Sequence, residues 1–158
     1  MIMDLKEIQG NLIGTWTGNN LLRLSSLTPS DYSSSSNLSV SQVAKGKFLT
    51  FTYTWEHDNI PQEGMLIVGY DKKQNIATAA WVDSWHMSSK IMFCQGTNDG
   101  KGIIDLRGSY EAPSGPDWGW RIVITARSDN QLQIVMHNCS PEGAEELAVQ
   151  ADYKRISR

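Results

Sequence analysis

Cysteine, histidine, proline and long apolar runs are all scarce in this chain of 158 residues, which has two cysteines and three histidines. Two cysteines are too few for a disulfide framework, so Cys94 and Cys139 are expected to be free thiols in a reducing, cytoplasmic setting. No apolar run is long enough for a signal-peptide core or a membrane span, and the opening MIMDLKEIQG carries acid where a leader would carry base. Neither sign of charge dominates. The net charge of −3 gives no electrostatic reason to expect nucleic acid or anionic lipid as a partner. Helical periodicity is also scarce, with only Leu5, Ile8 and Leu12 keeping helical spacing before Gly10-Asn11 interrupts them. At this length the chain can bury a core without disulfides or structural metal, so one domain over 1–158 is expected, with 1–13 as a short helical plug.

What the sequence has in quantity is period-two alternation. From Gly14 onward, Trp16, Gly18, Asn20, Leu22 and Leu24 share one side of a first strand. Ser25 to Ser36, serine-rich with a proline, reads as a long loop or lid. Asn37 to Ala44 and Lys47 to His57 form a hairpin around Lys45-Gly46, with Leu49, Phe51, Tyr53, Trp55 and His57 on one face and Thr50, Thr52, Thr54 and Glu56 on the other. Further strands are expected at Glu63 to Tyr70, Ile76 to Asp83, Lys90 to Gly96, Lys101 to Tyr110, Trp118 to Arg127, Gln131 to Asn138 and Glu146 to Arg155. Ten antiparallel strands in a meander have two edges to protect, and closure into an up-and-down barrel removes both. The expected fold is therefore all-β, a ten-stranded antiparallel barrel wide enough to leave an internal cavity, with a two-sheet sandwich as the other architecture.

In such a meander successive connections alternate between the two ends. One end collects tight hydrophilic turns around Lys45, Lys72, Asp99 and Asp129. The other collects the longer links Ser25 to Ser36, His57 to Gln62, Ser84 to Ser88, Glu111 to Asp117 and Cys139 to Glu145, and with them His57, His86, Cys139, Trp85 and Trp118. His137 falls near the same end. That end is the expected mouth.

The Gly14-Thr15-Trp16 that opens the first strand resembles the start of calycin barrels, the lipocalins and fatty-acid-binding proteins. A larger pattern includes Gly14 to Gly18, Gly69-Tyr70-Asp71, Trp81-Val82-Asp83-Ser84 and a closing aromatic strand at Tyr153. Over nearly the whole chain it resembles an uncharacterised bacterial family known only as a domain of unknown function. This resemblance implies a lipocalin-like barrel and carries no established activity. Nitrobindin-like haem barrels are also ten-stranded, but the chain lacks their glycine-rich opening motif.

Apolar walls with a few convergent polar groups are the mark of ligand cavities. Ala77 and Ala79 precede Trp81 on one face and would leave room below it. The expected ligand site therefore comprises Tyr53, Trp55, His57, Trp81, Asp83, Trp85, His86, Asn20 and Gln42, for a small apolar or amphiphilic molecule. Trp16, Phe51 and Trp120 are expected in the core. Asp83 and His86 are the candidate catalytic pair of an alternative reading, in which a carboxylate orients an imidazole. The bland reading of Asp83 is a carboxylate that accepts backbone N–H bonds across its own turn. A third reading, a metal- or haem-binding barrel, would use the histidines with Cys139, but no paired ligand spacing supports it. No cofactor or metal is expected, and a second copy of the chain is the one macromolecular partner considered.

Overall fold

The computed structural model describes residues 10–158, and most of the expected N-terminal plug lies outside them. The strands are β1 (Gly14–Arg23), β2 (Asp31–Val43), β3 (Phe48–His57), β4 (Ile60–Asp71), β5 (Ile76–Asp83), β6 (Met92–Asn98), β7 (Ile103–Tyr110), β8 (Trp118–Ser128), β9 (Gln131–Cys139) and β10 (Glu145–Ser157). Each pairs antiparallel with its sequence neighbours, and β1 pairs with β10 to close the barrel. Residues 10–12 are helical and precede β1. No helix among the described residues is long and apolar enough to cross a membrane.

Alternation works as written in the sequence. On β3, Leu49, Phe51, Tyr53 and Trp55 are buried while the threonines between them face outward. The same parity buries Leu66 and Val68 on β4, Ile104 and Leu106 on β7, and Ile122 and Ile124 on β8. Each such side chain contributes about 1.5–3 kcal/mol on burial, so the barrel is held chiefly by its own filling. The closure seam needs a glycine. A Cβ on Gly18 would lie 1.8 Å from the Asp152 carbonyl oxygen, so β1 and β10 could not meet at this register with any side chain there.

Two expected loops are strand. The serine run is not a lid: Ser33 to Ser36 belong to β2 and pair with Leu21 to Gly18 of β1, and the connection shrinks to residues 24–30. Serine hydroxyls serve both faces here, since Ser36 turns inward to bond the Tyr153 hydroxyl at 2.7 Å while Ser34 Oγ accepts the Glu56 backbone N–H at 3.1 Å, and Asp31 anchors the strand's start through a two-pronged bond with Arg23. The expected link His57 to Gln62 is a two-residue turn, because Asp58 and Asn59 both take positive φ (51° and 61°) and let Ile60 pair directly with His57. Asp and Asn tolerate that conformation better than other non-glycine residues.

The tight end is sealed by Trp16, which is 1% exposed and donates from Nε1 to the Leu12 carbonyl at 3.0 Å. Arg155 lies over its ring at 4.1 Å.

Candidate functional site

The site grows from the corner after β5. Asp83 ends the strand 4% exposed, and each of its carboxylate oxygens accepts two hydrogen bonds. Oδ1 takes the backbone N–H groups of Trp85 (2.9 Å) and His86 (3.1 Å), which turns the chain sharply inward. Oδ2 takes the Tyr53 hydroxyl at 2.7 Å and the Trp55 indole N–H at 3.3 Å. Trp81 then donates to the Tyr53 oxygen at 2.9 Å. Burial, with the Asp83 charge added, pushes the Tyr53 phenol well above its ordinary range and keeps it a donor. The facing position on β4 is Gly64, where a Cβ would fall 2.2 Å from the Tyr53 oxygen.

This network drives His86 into the mouth, among indoles. Its ring stacks on Trp55 (5.6 Å, 28°), meets Trp85 edge-on (4.9 Å) and tilts against Trp81 (5.6 Å) and Trp120 (5.4 Å). Desolvation lowers the imidazole's pKa from 6.5, and the Asp83 charge opposes this only in part. An unfolded chain therefore binds a proton that the folded one refuses, and stability must fall as pH drops below about 6.5. Thermal unfolding followed from about pH 7 to about pH 5 should show a steeper decline for the natural protein than for His86→Phe, which keeps the ring and loses the titration. Equal slopes would show that His86 contributes no such term.

A cavity of about 230 Å³ opens beside this ring. Its walls come from β5 and its corner (Trp81, Trp85, His86, Met87) and from β6 to β8 (Met92, Tyr110, Trp120). β9 and β10 add Asn138, Glu146, Leu147 and Ala148, and the end of β1 adds Leu22 to Ser25. Leu147 and Ala148 both line it because the β9–β10 register shifts between Leu147 and Val149, a bulge that turns consecutive residues inward. The Tyr110 hydroxyl donates to Asn138 Oδ1 across the wall, and Trp120 Nε1 is buried with no acceptor among the described residues. On the far side of His86 a void of only about 10 Å³ is bounded by Asn20, Tyr53, Trp55 and Asp83.

The sequence candidates thus separate. Trp81, Trp85 and His86 line the cavity, whereas Asn20, Tyr53, Trp55 and Asp83 support it from beneath. His57 sits under Trp85 at the rim, edge-on to it at 5.3 Å, with Nδ1 buried and without a partner among the described residues. Gln42 is displaced from the expected set: it pairs with Leu49 next to the β2–β3 turn, exposed and at the opposite end of the barrel. Ala77 and Ala79 are buried but do not line the cavity, which lies at the mouth end of Trp81 and not below it. Trp120, expected in the core, is a cavity wall, and Leu22, Tyr110, Asn138 and Ala148 join it unanticipated. Strand parity could have found Trp120 and Asn138, which sit opposite one another on inward positions of β8 and β9.

The proposed acid/base pair is connected by backbone alone. Asp83 accepts the His86 backbone N–H, and its oxygens are already occupied by the four donors described, so the bland reading of a turn-forming carboxylate matches the geometry. Neither thiol is poised as a nucleophile: burial pushes Cys94 up to about 11 and also raises Cys139. His137, paired with Arg121 and Leu147, is not among the cavity-lining residues, and among the described residues no three His, Cys, Asp or Glu side chains form a metal-ligating group.

Fold and mouth together define a closed ten-stranded antiparallel barrel with an aromatic cavity at one end. Residues 6–155 match the family described as "Protein of unknown function (DUF1579)", and the chain belongs to that family. A search of curated proteins finds no match. Among solved structures, the chain is similar to Rv2717c from M. tuberculosis, with a TM-score of 0.61 at 14% identity over 98% of this chain and 99% of that one. It is also similar to the S-type phycobiliprotein lyase CPES from Guillardia theta, with a TM-score of 0.60 at 11% identity over 99% and 94%. At these identities the likeness is one of fold.

Proposed function

We propose that the protein binds a small, largely apolar or amphiphilic molecule in the mouth cavity. The observation that carries this reading is the contrast between the two halves of the barrel. Towards the tight end, Trp16, Leu38, Leu49, Phe51 and Val68 are 0–2% exposed and pack against one another, while the mouth half holds about 230 Å³ between indoles, Leu22 and Met92. Filled side chains would stabilise the mouth equally well, so an apolar space kept open there has a use other than stability. Its volume lies below the usual range for drug-sized ligand sites, which points to a compact molecule. The hydrogen-bonding groups on its walls, Asn138, Tyr110 and His86, suit an occupant with a polar group as well as an apolar body.

The test needs no guess about identity. Native mass spectrometry of gently purified protein should show a bound mass, and Ala148→Phe, which places a ring in the cavity from β10, should lose it with the barrel's circular dichroism unchanged. Titration with 3-phenylpropanol should change tryptophan emission, because Trp81, Trp85 and Trp120 line the space. No bound mass together with no fluorescence response would defeat the reading.

A further inference from the structure

Sorting charges by the end of the barrel they occupy gives a pronounced polarity. The connections at the mouth carry Asp58, Glu111, Asp117 and Glu142 against Lys90 alone. Those at the tight end carry Lys45, Lys47, Lys72, Lys73 and Lys101 against Asp99 and Asp129. A near-neutral chain therefore presents a negative field at the mouth and a positive one at its base, and a field of this kind concentrates cations where the cavity opens.

The charges on the cavity wall itself point the same way. Arg23 is tied to Asp31 by two bonds of 2.8 and 2.9 Å, so its charge is already compensated. Glu146 lies at the rim, and its one hydrogen bond is from the Ser25 hydroxyl at 3.4 Å. Among the described residues it has no cationic partner, whereas its neighbour Glu145 is held by Arg107 and Arg121 at 3.0 Å each. Below the rim the walls are the rings of Trp81, Trp85, Trp120 and Tyr110, whose π faces attract cations. Around this carboxylate the described residues of the cavity supply negative charge and aromatic surface and no free positive charge.

We propose that the cavity selects a cationic amphiphile, an apolar body inserted among the tryptophans with a protonated amine or quaternary ammonium held at the rim between Glu146 and the aromatic walls. This rests on the reading of the cavity as the binding site, and the two are separable. Three probes of one shape serve: 3-phenylpropylamine, 3-phenylpropanol and 3-phenylpropanoate, which are cationic, neutral and anionic near neutral pH, titrated against the full chain by calorimetry. The amine should bind about tenfold more tightly than the alcohol, and the carboxylate most weakly. The amine's advantage should shrink as salt is raised, because the rim is solvent-exposed. Glu146→Gln should bring the ratio of amine to alcohol affinity towards one. Alcohol binding as tight as amine, or carboxylate binding tighter than both, would overturn the cationic assignment while leaving a small-molecule site in place. If none of the three binds, the cationic assignment falls, and the small-molecule reading falls with it when no bound mass copurifies either.

Discussion

Asp83→Ala is expected to cost the barrel about 3–5 kcal/mol of stability, among the largest losses any single mouth substitution could produce. The substitution strands the Tyr53 hydroxyl and the Trp55 indole N–H, both buried, and the backbone N–H groups of Trp85 and His86 at the part-buried corner. Asp83→Asn should cost roughly half as much, since its carbonyl oxygen can keep the two backbone donors while its amide nitrogen opposes the Trp55 N–H. Denaturant unfolding measures both, and a loss under about 1 kcal/mol for the alanine variant would show that the network does not hold the corner. A carboxylate with a purely catalytic role makes the opposite forecast, because its removal would spare the fold. The same substitution should release His86 from its indole surround, visible as a shift in tryptophan emission even where the barrel remains closed.

The strand plan was legible because its signal is local. β5 runs from Ile76 to Asp83 as the alternation predicts, and β8 starts at Trp118 for the same reason. The expected polarity of the ends also follows from topology alone: His57, Trp85 and His86 meet at the mouth, while Lys45, Lys72, Asp99 and Asp129 sit in or beside the opposite turns. Composition was misleading where pairing supplied what propensity did not. The serine run looked like a loop, yet its backbone completes the β1 ladder and its hydroxyls find Tyr153 and Glu56. The candidate site was legible in part because Trp81, Trp85 and His86 lie on one continuous segment. Leu22, Tyr110, Trp120 and Asn138 reach the same cavity from four other strands, and only the closed register shows that they converge. Ala148 could not be foreseen, since a bulge reverses the parity that a regular strand would give it. Gln42 failed for a complementary reason: sharing a strand with buried residues says nothing about which end of the barrel a position occupies.

Arg155→Met should destabilise the opposite end by about 2–4 kcal/mol and leave mouth binding unaffected. The guanidinium donates to the carbonyl oxygens of Asp129, Ile13 and Asn11, each at 2.6 Å, and stacks over the buried Trp16. It thus joins the entry to β1, the β8–β9 turn and the closing strand at the point where the barrel's first and last strands meet. Burial lowers the pKa of this arginine from its ordinary value, and neighbouring Arg158 adds to the effect, yet the group remains a cation at any pH the fold survives. Methionine keeps a comparable stem on the indole and removes all three charged donors, so the loss isolates the bonds from the packing. Lysine should recover little, because one ammonium cannot match the planar fork that reaches three carbonyls in different directions. Hydrogen exchange should quicken at residues 11–16 before it does at β5 and its corner, because the tie acts on the entry segment first. Uniform acceleration across the barrel, or a change below about 1 kcal/mol, would show that Trp16 and its neighbours close the floor without the arginine.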